Sequence, residues 1–243
     1  MIYVSLTIIP ERIKNLDKTV NSLLLQKKKP DKIFINIPKK YLRFNNIIRN
    51  EQIPQFNSDK VEVVRCDDYG PGTKILGSLN KLEKDSMVIL VDDDNVYKDY
   101  MIEKFFYFYK KAPSNAYSFY VHALGNFGVG QGADGFAINT NYLKGIKTFY
   151  NKIVRNYKEL FLYDDLWISY FLYFFKKNKI LSLQEHLKKD SDGKQTLIYK
   201  THIIASGLVS TYGKNLIEAV KKRDQIAVES FKYMQKKTKG LNF

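Results

Sequence analysis

The five apolar residues Met87–Val91 run directly into Asp92, Asp93 and Asp94, and no other feature restricts the fold of this chain as strongly. An unbroken apolar run of that length reads as a strand buried on both faces, the kind found in parallel sheets. Three carboxylates at its mouth repel one another, and desolvation sharpens the repulsion. Something positive is expected among them, and a hard divalent cation with oxygen ligands meets the need. The alternative is an acidic helix N-terminus, with "NVYKDYMIEKFF" starting a helix whose dipole favours carboxylates. One aspartate serves that purpose; three exceed it.

The flanking sequence repeats the strand-then-helix pattern. "IYVSLTII" reads as a strand ended by Pro10, and "NLDKTVNSLLLQ" places Leu16, Val20, Leu23 and Leu24 at helical spacing. "KIFINIP" and "VEVVRC" are further strands, with a polar, irregular stretch from Lys39 to Lys60 between them. "TKILGSLNKLEKD" reads as a helix leading into the acidic strand. This alternation calls for an α/β fold, a mostly parallel sheet with helices on both faces. In such sheets ligands bind beyond the carboxyl ends of the strands, where "VDDDN" and "CDDYGPGTK" both lie. The second half is less regular: "DYMIEKFFYFYKK" reads as helix, "AYSFYVH" as strand, and "GNFGVGQGADGFAIN" as a Gly-rich turn region before a short strand. "DDLWISYFLYFFKKNK" reads as a buried helix. "NLIEAVKKRDQIAVESFKYMQKK" reads as an amphipathic one that packs on the domain or, alternatively, lies on a membrane surface.

The formal charge of +15 comes mostly from Lys. Nucleic-acid readers rely on Arg for bidentate contacts, so no nucleic-acid partner is expected and a solvated Lys surface is the plainer reading. The single cysteine, Cys66, excludes an intrachain disulfide. The opening "MIYVSLTIIPERIK" lacks the basic start and long apolar stretch of a signal peptide. No apolar run approaches the roughly 18 residues of a membrane span. A soluble, cytoplasmic protein is expected, with peripheral membrane contact as the alternative.

An apolar strand ending in acid also occurs in P-loop enzymes, but their partner element GxxxxGK[ST] is not met by "GPGTK". Four segments in order instead resemble family-2-like glycosyltransferases of the GT-A fold. These are "VSLTIIPERIKNLDKTVNSLLLQKKKPDKIFINIP", "DDYGPGTKILGSLNKLEKDSMVILVDDDNVY" with its DXD motif, "GVGQGADGFAI" and "YDDLWISYFL". The match covers residues 1 to about 178.

The resemblance implies one Rossmann-like GT-A domain over residues 1–243. A nucleotide-sugar-binding half would span about 1–110, an acceptor-side half about 111–205, and a C-terminal amphipathic helix 206–243. It further implies a nucleotide-sugar donor, UDP-linked in first place, an Mn²⁺ or Mg²⁺ ion, and a glycan, lipid-linked or protein acceptor. Asp92 would lie nearest the sugar or ribose and also reach the metal. Asp94 would bind the metal directly, and Asp93 would substitute for either. His202 in "YKTHIIASG" would be a late third ligand; His122 and His186 have no support beyond their identity. Asp165 would be the catalytic base and implies inversion. Asp164 stands where the family usually has Glu, and a paired helix N-cap is the alternative for both. Thr7, Pro10 and Arg12 would contact the nucleotide, though Arg12 fits a surface position equally. Asp67 or Asp68 would accept from a uracil-like base, with Lys74 on the diphosphate. Gly132, Asp134 and Gly135 would meet the acceptor sugar, or form a bare turn. The rival classes are a nucleotidyltransferase or other metal-dependent phosphoryl-transfer enzyme, and a non-catalytic basic polyanion-binding protein.

Overall fold

A computed structural model describes residues 1–201 and 215–243. In chain order it begins with β1 (Ile2–Thr7), a 3₁₀ turn Pro10–Asn15, α1 (Leu16–Leu24), β2 (Lys32–Pro38) and β3 (Val61–Cys66). The one-turn α2 (Thr73–Leu76), β4 (Met87–Leu90), β5 (Asn95–Tyr97) and α3 (Met101–Lys111) follow. The second half holds β6 (Ala116–Ser118), β7 (Val121–Leu124), β8 (Phe127–Gly130), β9 (Phe136–Asn139), α4 (Ile146–Phe149) and α5 (Lys158–Phe161). It ends with α6 (Asp164–Tyr170), β10 (Ile180–Ser182), β11 (Tyr199–Thr201) and α7 (Leu216–Thr238).

Seven strands form one sheet in the order β10-β6-β9-β4-β1-β2-β3. β1, β2, β3 and β4 run parallel, while β9 is antiparallel to both its neighbours. β4 therefore lies between β1 and β9 with both faces covered, and Met87 through Val91 are all buried. That accounts for the unbroken apolar run: burying each such side chain contributes about 1.5–3 kcal/mol.

α1 buries Leu16, Val20 and Leu23, as its spacing predicts, and also hides a polar stripe. Thr19 Oγ1 donates to the Asp93 carbonyl at 2.9 Å, and Ser22 Oγ accepts from Tyr97 N at 3.0 Å. Gln26, buried with them, donates to the Lys98 carbonyl at 2.8 Å and accepts from Ile102 N at 3.0 Å. The "SLL.Q" segment thus anchors from behind the chain that follows the acidic strand.

The helix expected over "TKILGSLNKLEKD" is a single turn followed by a 3₁₀ turn at Leu79–Lys81. Ser78, fully buried, turns inward to Ser5 Oγ at 3.1 Å, which draws the chain out of the helix. "AYSFYVH" divides between β6 in the main sheet and β7, which forms a hairpin with β8. α6 runs on through Phe171–Phe175 in a wider, π-type turn. α7 packs on the domain: Ala219, Ala227 and Met234 are buried, and Thr238 Oγ1 lies 2.9 Å from the Tyr170 hydroxyl. Residues 206–214 of the expected C-terminal helix lie outside the described residues. Among those described, no helix is long and apolar enough to cross a membrane.

Candidate active site

Beyond the carboxyl end of β4 the chain turns at Asp92–Asp94 and re-enters a short strand at Asn95. α3 begins only at Met101, so the aspartates do not cap it. The positive charge expected among them comes from two side chains. Arg12, on the 3₁₀ turn after β1, places one nitrogen, Nη1, 2.8 Å from Asp93 Oδ1 and 3.1 Å from Asp94 Oδ2. It is no surface residue, its side chain being 19% exposed. Burial pulls the guanidinium pKa down, and the carboxylates of Asp93 and Asp94 outweigh that and raise it. Asp93 is itself buried, which pushes its carboxyl up to about 6 against the opposing pull of Arg12. One of its oxygens, Oδ2, is buried without a hydrogen bond.

The second cation is Lys74, the side chain of the one-turn α2. Its Nζ lies 2.5 Å from Asp92 Oδ1 and 3.2 Å from Asp164 Oδ2, with only 5% of the side chain exposed. Burial disfavours the ammonium, but Asp164, Asp92 and Asp165 together raise its pKa well above the ordinary lysine value. Asp92 is further fixed through its backbone, whose N–H donates to the Tyr97 hydroxyl at 2.9 Å.

Asp164 and Asp165 open α6, and neither acts as its cap: the N-cap position is Tyr163, with no side-chain hydrogen bond there. Asp165 Oδ1 instead accepts from the backbone N–H of Gly132 at 2.9 Å. Asp164 is buried and Asp165 half-buried, and their pKa values are raised, that of Asp165 strongly, first by desolvation and then by its neighbour Asp164. A carboxylate so displaced is a better base.

Gly132 is where the two sides meet. A Cβ there would fall 2.8 Å from Lys74 Nζ, 3.2 Å from Asp165 Oδ1 and 3.3 Å from Asp92 Oδ1. Any side chain would wedge these charges apart, which is a physical reason for glycine. Asp134, two residues on, is 8% exposed and makes no hydrogen bond or ion pair through its carboxylate with any described residue. Burial, and then Asp92, push its carboxyl up to about 7.

The remaining expected residues spread along the strand ends. Thr7 Oγ1 donates to the Asn36 carbonyl at 2.9 Å, and Pro10 starts the turn that carries Arg12. Asp68 commits both oxygens to backbone N–H groups, of Leu42 at 2.7 Å and Gly70 at 2.8 Å. Asp67 lines a cavity of about 350 Å³ with Lys39, Cys66, Tyr69, Asn80 and Lys147. Gly135 closes the turn after Asp134 with φ of 81°. His202 lies outside the described residues; Thr201, before it, donates from Oγ1 to the Asp94 carbonyl at 3.2 Å. His186 lies against the Phe108 ring and 3.2 Å from Glu185 Oε1, and His122 sits on β7; neither is paired with the aspartates of the site.

The sequence reading missed several residues that build the site. Trp167, the single tryptophan, is fully buried against the "GPG" loop, and a Cβ at Gly72 would lie 2.6 Å from its ring. Ser5 Oγ donates to the Lys74 carbonyl at 2.5 Å, and Asn36 Nδ2 donates to Ser5 Oγ at 2.9 Å. A polar Ser and Asn at the buried centres of two apolar strands was the available signal.

No family model matches the chain, and no curated protein matches it in sequence. Solved structures do. The galactosyltransferase LgtC, in complex with donor and acceptor sugar analogs, aligns with a TM-score of 0.53 at 8% identity, covering 94% of this chain and 96% of that one. Residues 1–349 of TarS from S. aureus align at 0.52 and 14% identity, covering 97% of this chain and 72% of that one. The Francisella tularensis 2-C-methyl-D-erythritol 4-phosphate cytidylyltransferase aligns less well, at 0.48 and 17% identity over 74% of this chain and 88% of that one. At such identities the likeness concerns architecture. The chain has a GT-A type fold, as the motif order implied.

Proposed function

We propose that this chain is a metal-dependent glycosyltransferase that moves one sugar from a nucleoside-diphosphate donor, a UDP-sugar in first place, to an acceptor hydroxyl with inversion. The observation that carries the reading is the approach of Asp92 and Asp165 to a common point above Gly132. A strand-end acid group and a carboxylate with a raised pKa face one another there.

The donor set fits a divalent cation. Six carboxylates, of Asp92, Asp93, Asp94, Asp134, Asp164 and Asp165, stand against two cations, Arg12 and Lys74. Among the described residues no three His, Cys, Asp or Glu side chains form a group able to hold a metal by themselves. Mg²⁺-type ions are commonly held by one or two carboxylates together with substrate phosphates. Asp94 and Asp92 are the proposed protein ligands, with His202 as the third. When bound, the ion neutralises charge on the departing diphosphate as a Lewis acid.

Arg12 is the proposed diphosphate contact on the β1 side, beside Thr7 and Pro10. The cavity lined by Asp67 receives the base, whose N–H donates to that carboxylate, while Asp68 shapes the loop. Asp165 takes the acceptor hydroxyl's proton as the oxygen attacks the anomeric carbon, and Gly132 N–H holds it in place. Asp134 and Gly135 lie on the acceptor side, where the Asp134 carboxylate accepts from sugar hydroxyls. The acceptor is a glycan, lipid-linked or protein hydroxyl.

The test is a screen of UDP- and GDP-sugars with Mn²⁺, reading nucleoside diphosphate release. One donor class turns over, and both EDTA and Asp94→Ala abolish turnover. Pyrophosphate release would place the chain among nucleotidyltransferases instead, and turnover indifferent to EDTA would remove the metal.

A further inference from the structure

Lys74 is the expected diphosphate contact, yet its surroundings suit another task. Its ammonium sits between Asp92 and Asp164 with 5% of the side chain exposed. Its backbone carbonyl accepts from Ser5 Oγ at 2.5 Å, so the residue is held from below by β1. Two positions earlier, Gly72 touches Trp167 of α6 so closely that no Cβ fits. The segment carrying Lys74 is thereby pressed onto the helix that carries Asp164 and Asp165. An arm that reaches for phosphate needs slack and exposure, and this one has neither.

We propose that Lys74 is a positioning residue. Its ammonium clamps the donor-side carboxylate Asp92 to the base-side carboxylate Asp164, and so keeps Asp165 and the Gly132 N–H in register with the bound donor. This rests on the glycosyltransferase reading for its catalytic consequence, but the clamp itself is made by the chain's own side chains. The ion pair to Asp164 is the longer of the two, 3.2 Å against 2.5 Å to Asp92. The attraction there is Coulombic in a poorly screened interior, where removing one partner leaves the other buried and uncompensated.

The experiment compares wild type, Lys74→Met and the charge-balanced double variant Lys74→Met/Asp164→Asn. The clamp predicts that Lys74→Met lowers kcat by about 100-fold while KM for the donor stays within about threefold, the signature of a lost interaction specific to the transition state. The double variant regains thermal stability but not kcat. A diphosphate ligand would give the reverse, a raised donor KM with kcat little changed, and that result overturns the proposal, as does recovery of kcat in the double variant. Amide hydrogen exchange at Gly132 supplies a readout free of catalysis. It quickens by about tenfold or more in Lys74→Met, as expected for a local opening made easier. An unchanged Gly132 exchange rate sinks the clamp even if no sugar donor turns over; absent turnover in wild type alone sinks only the glycosyltransferase reading.

Discussion

The two cation sites of the cleft place similar charges in different settings. Arg12 bridges Asp93 and Asp94, neighbours in one loop, and keeps 19% of its side chain exposed. Lys74 bridges Asp92 and Asp164, which come from opposite sides of the cleft, and keeps 5%. The first ties the turn after β1 to a single loop and is the more open of the two to solvent. The second joins three segments, α2, the acidic loop and the start of α6. Charge count alone would treat them alike; burial, and the number of segments each cation joins, suit one to the proposed substrate contact and the other to the proposed clamp.

The strongest way to break this contrast is Asp165→Asn on the Lys74 side. Loss of the proposed general base costs about 10²–10⁴-fold in kcat, and nucleotide affinity, proposed to be held on the Arg12 side, is expected to stay unchanged by calorimetry. A matching loss of nucleotide binding would mean that the two sides are not separable. Next in size is Gly72→Ala, whose new methyl would meet the Trp167 ring at 2.6 Å. Overpacking of this kind costs about 1–3 kcal/mol, read by urea unfolding followed through the fluorescence of Trp167 itself. No change in stability would show that this contact yields easily.

The smallest effect concerns pH. Asp134 has its folded-state pKa pushed up to about 7 and Asp93 up to about 6, mainly by burial. An unfolded aspartate titrates near about 3.9. Between those values the folded protein binds more protons than the unfolded one, so stability falls as pH rises from about 4 toward about 7. Melting temperature is therefore expected to drop between pH 5 and pH 8, and Asp134→Asn to flatten that drop. An identical slope in the variant would show that Asp134 titrates normally.

The sheet was legible in the sequence because buried parallel strands announce themselves as unbroken apolar runs, as in Met87–Val91 and "KIFINIP". The gathering of Asp92–Asp94 with Asp164 and Asp165 was legible only through motif order. What escaped was long-range packing. "AYSFYVH" carries strand propensity throughout and nothing that marks its division at Phe119. The truncation of α2 depends on Ser78 finding Ser5, a contact that spacing does not encode. Arg12 fitted a nucleotide contact and a surface position equally, because the partners that hold it lie about eighty residues along the chain.

β11 pairs antiparallel with β5, and Thr201 donates to the Asp94 carbonyl across a separation of 107 residues. During synthesis the acidic loop therefore emerges long before the strand that flanks it, and before the helix that supplies Asp164. Contacts this far apart in sequence form late, because a long loop must close before they repay its entropy. A ribosome-bound chain halted near residue 150 would carry the sequence of all four parallel strands but neither α6 nor the carboxylates it supplies to the proposed site. The acids of the proposed site should meet only as α6 docks, in the same step that brings Leu166, Trp167, Ile168 and Phe171 into the core.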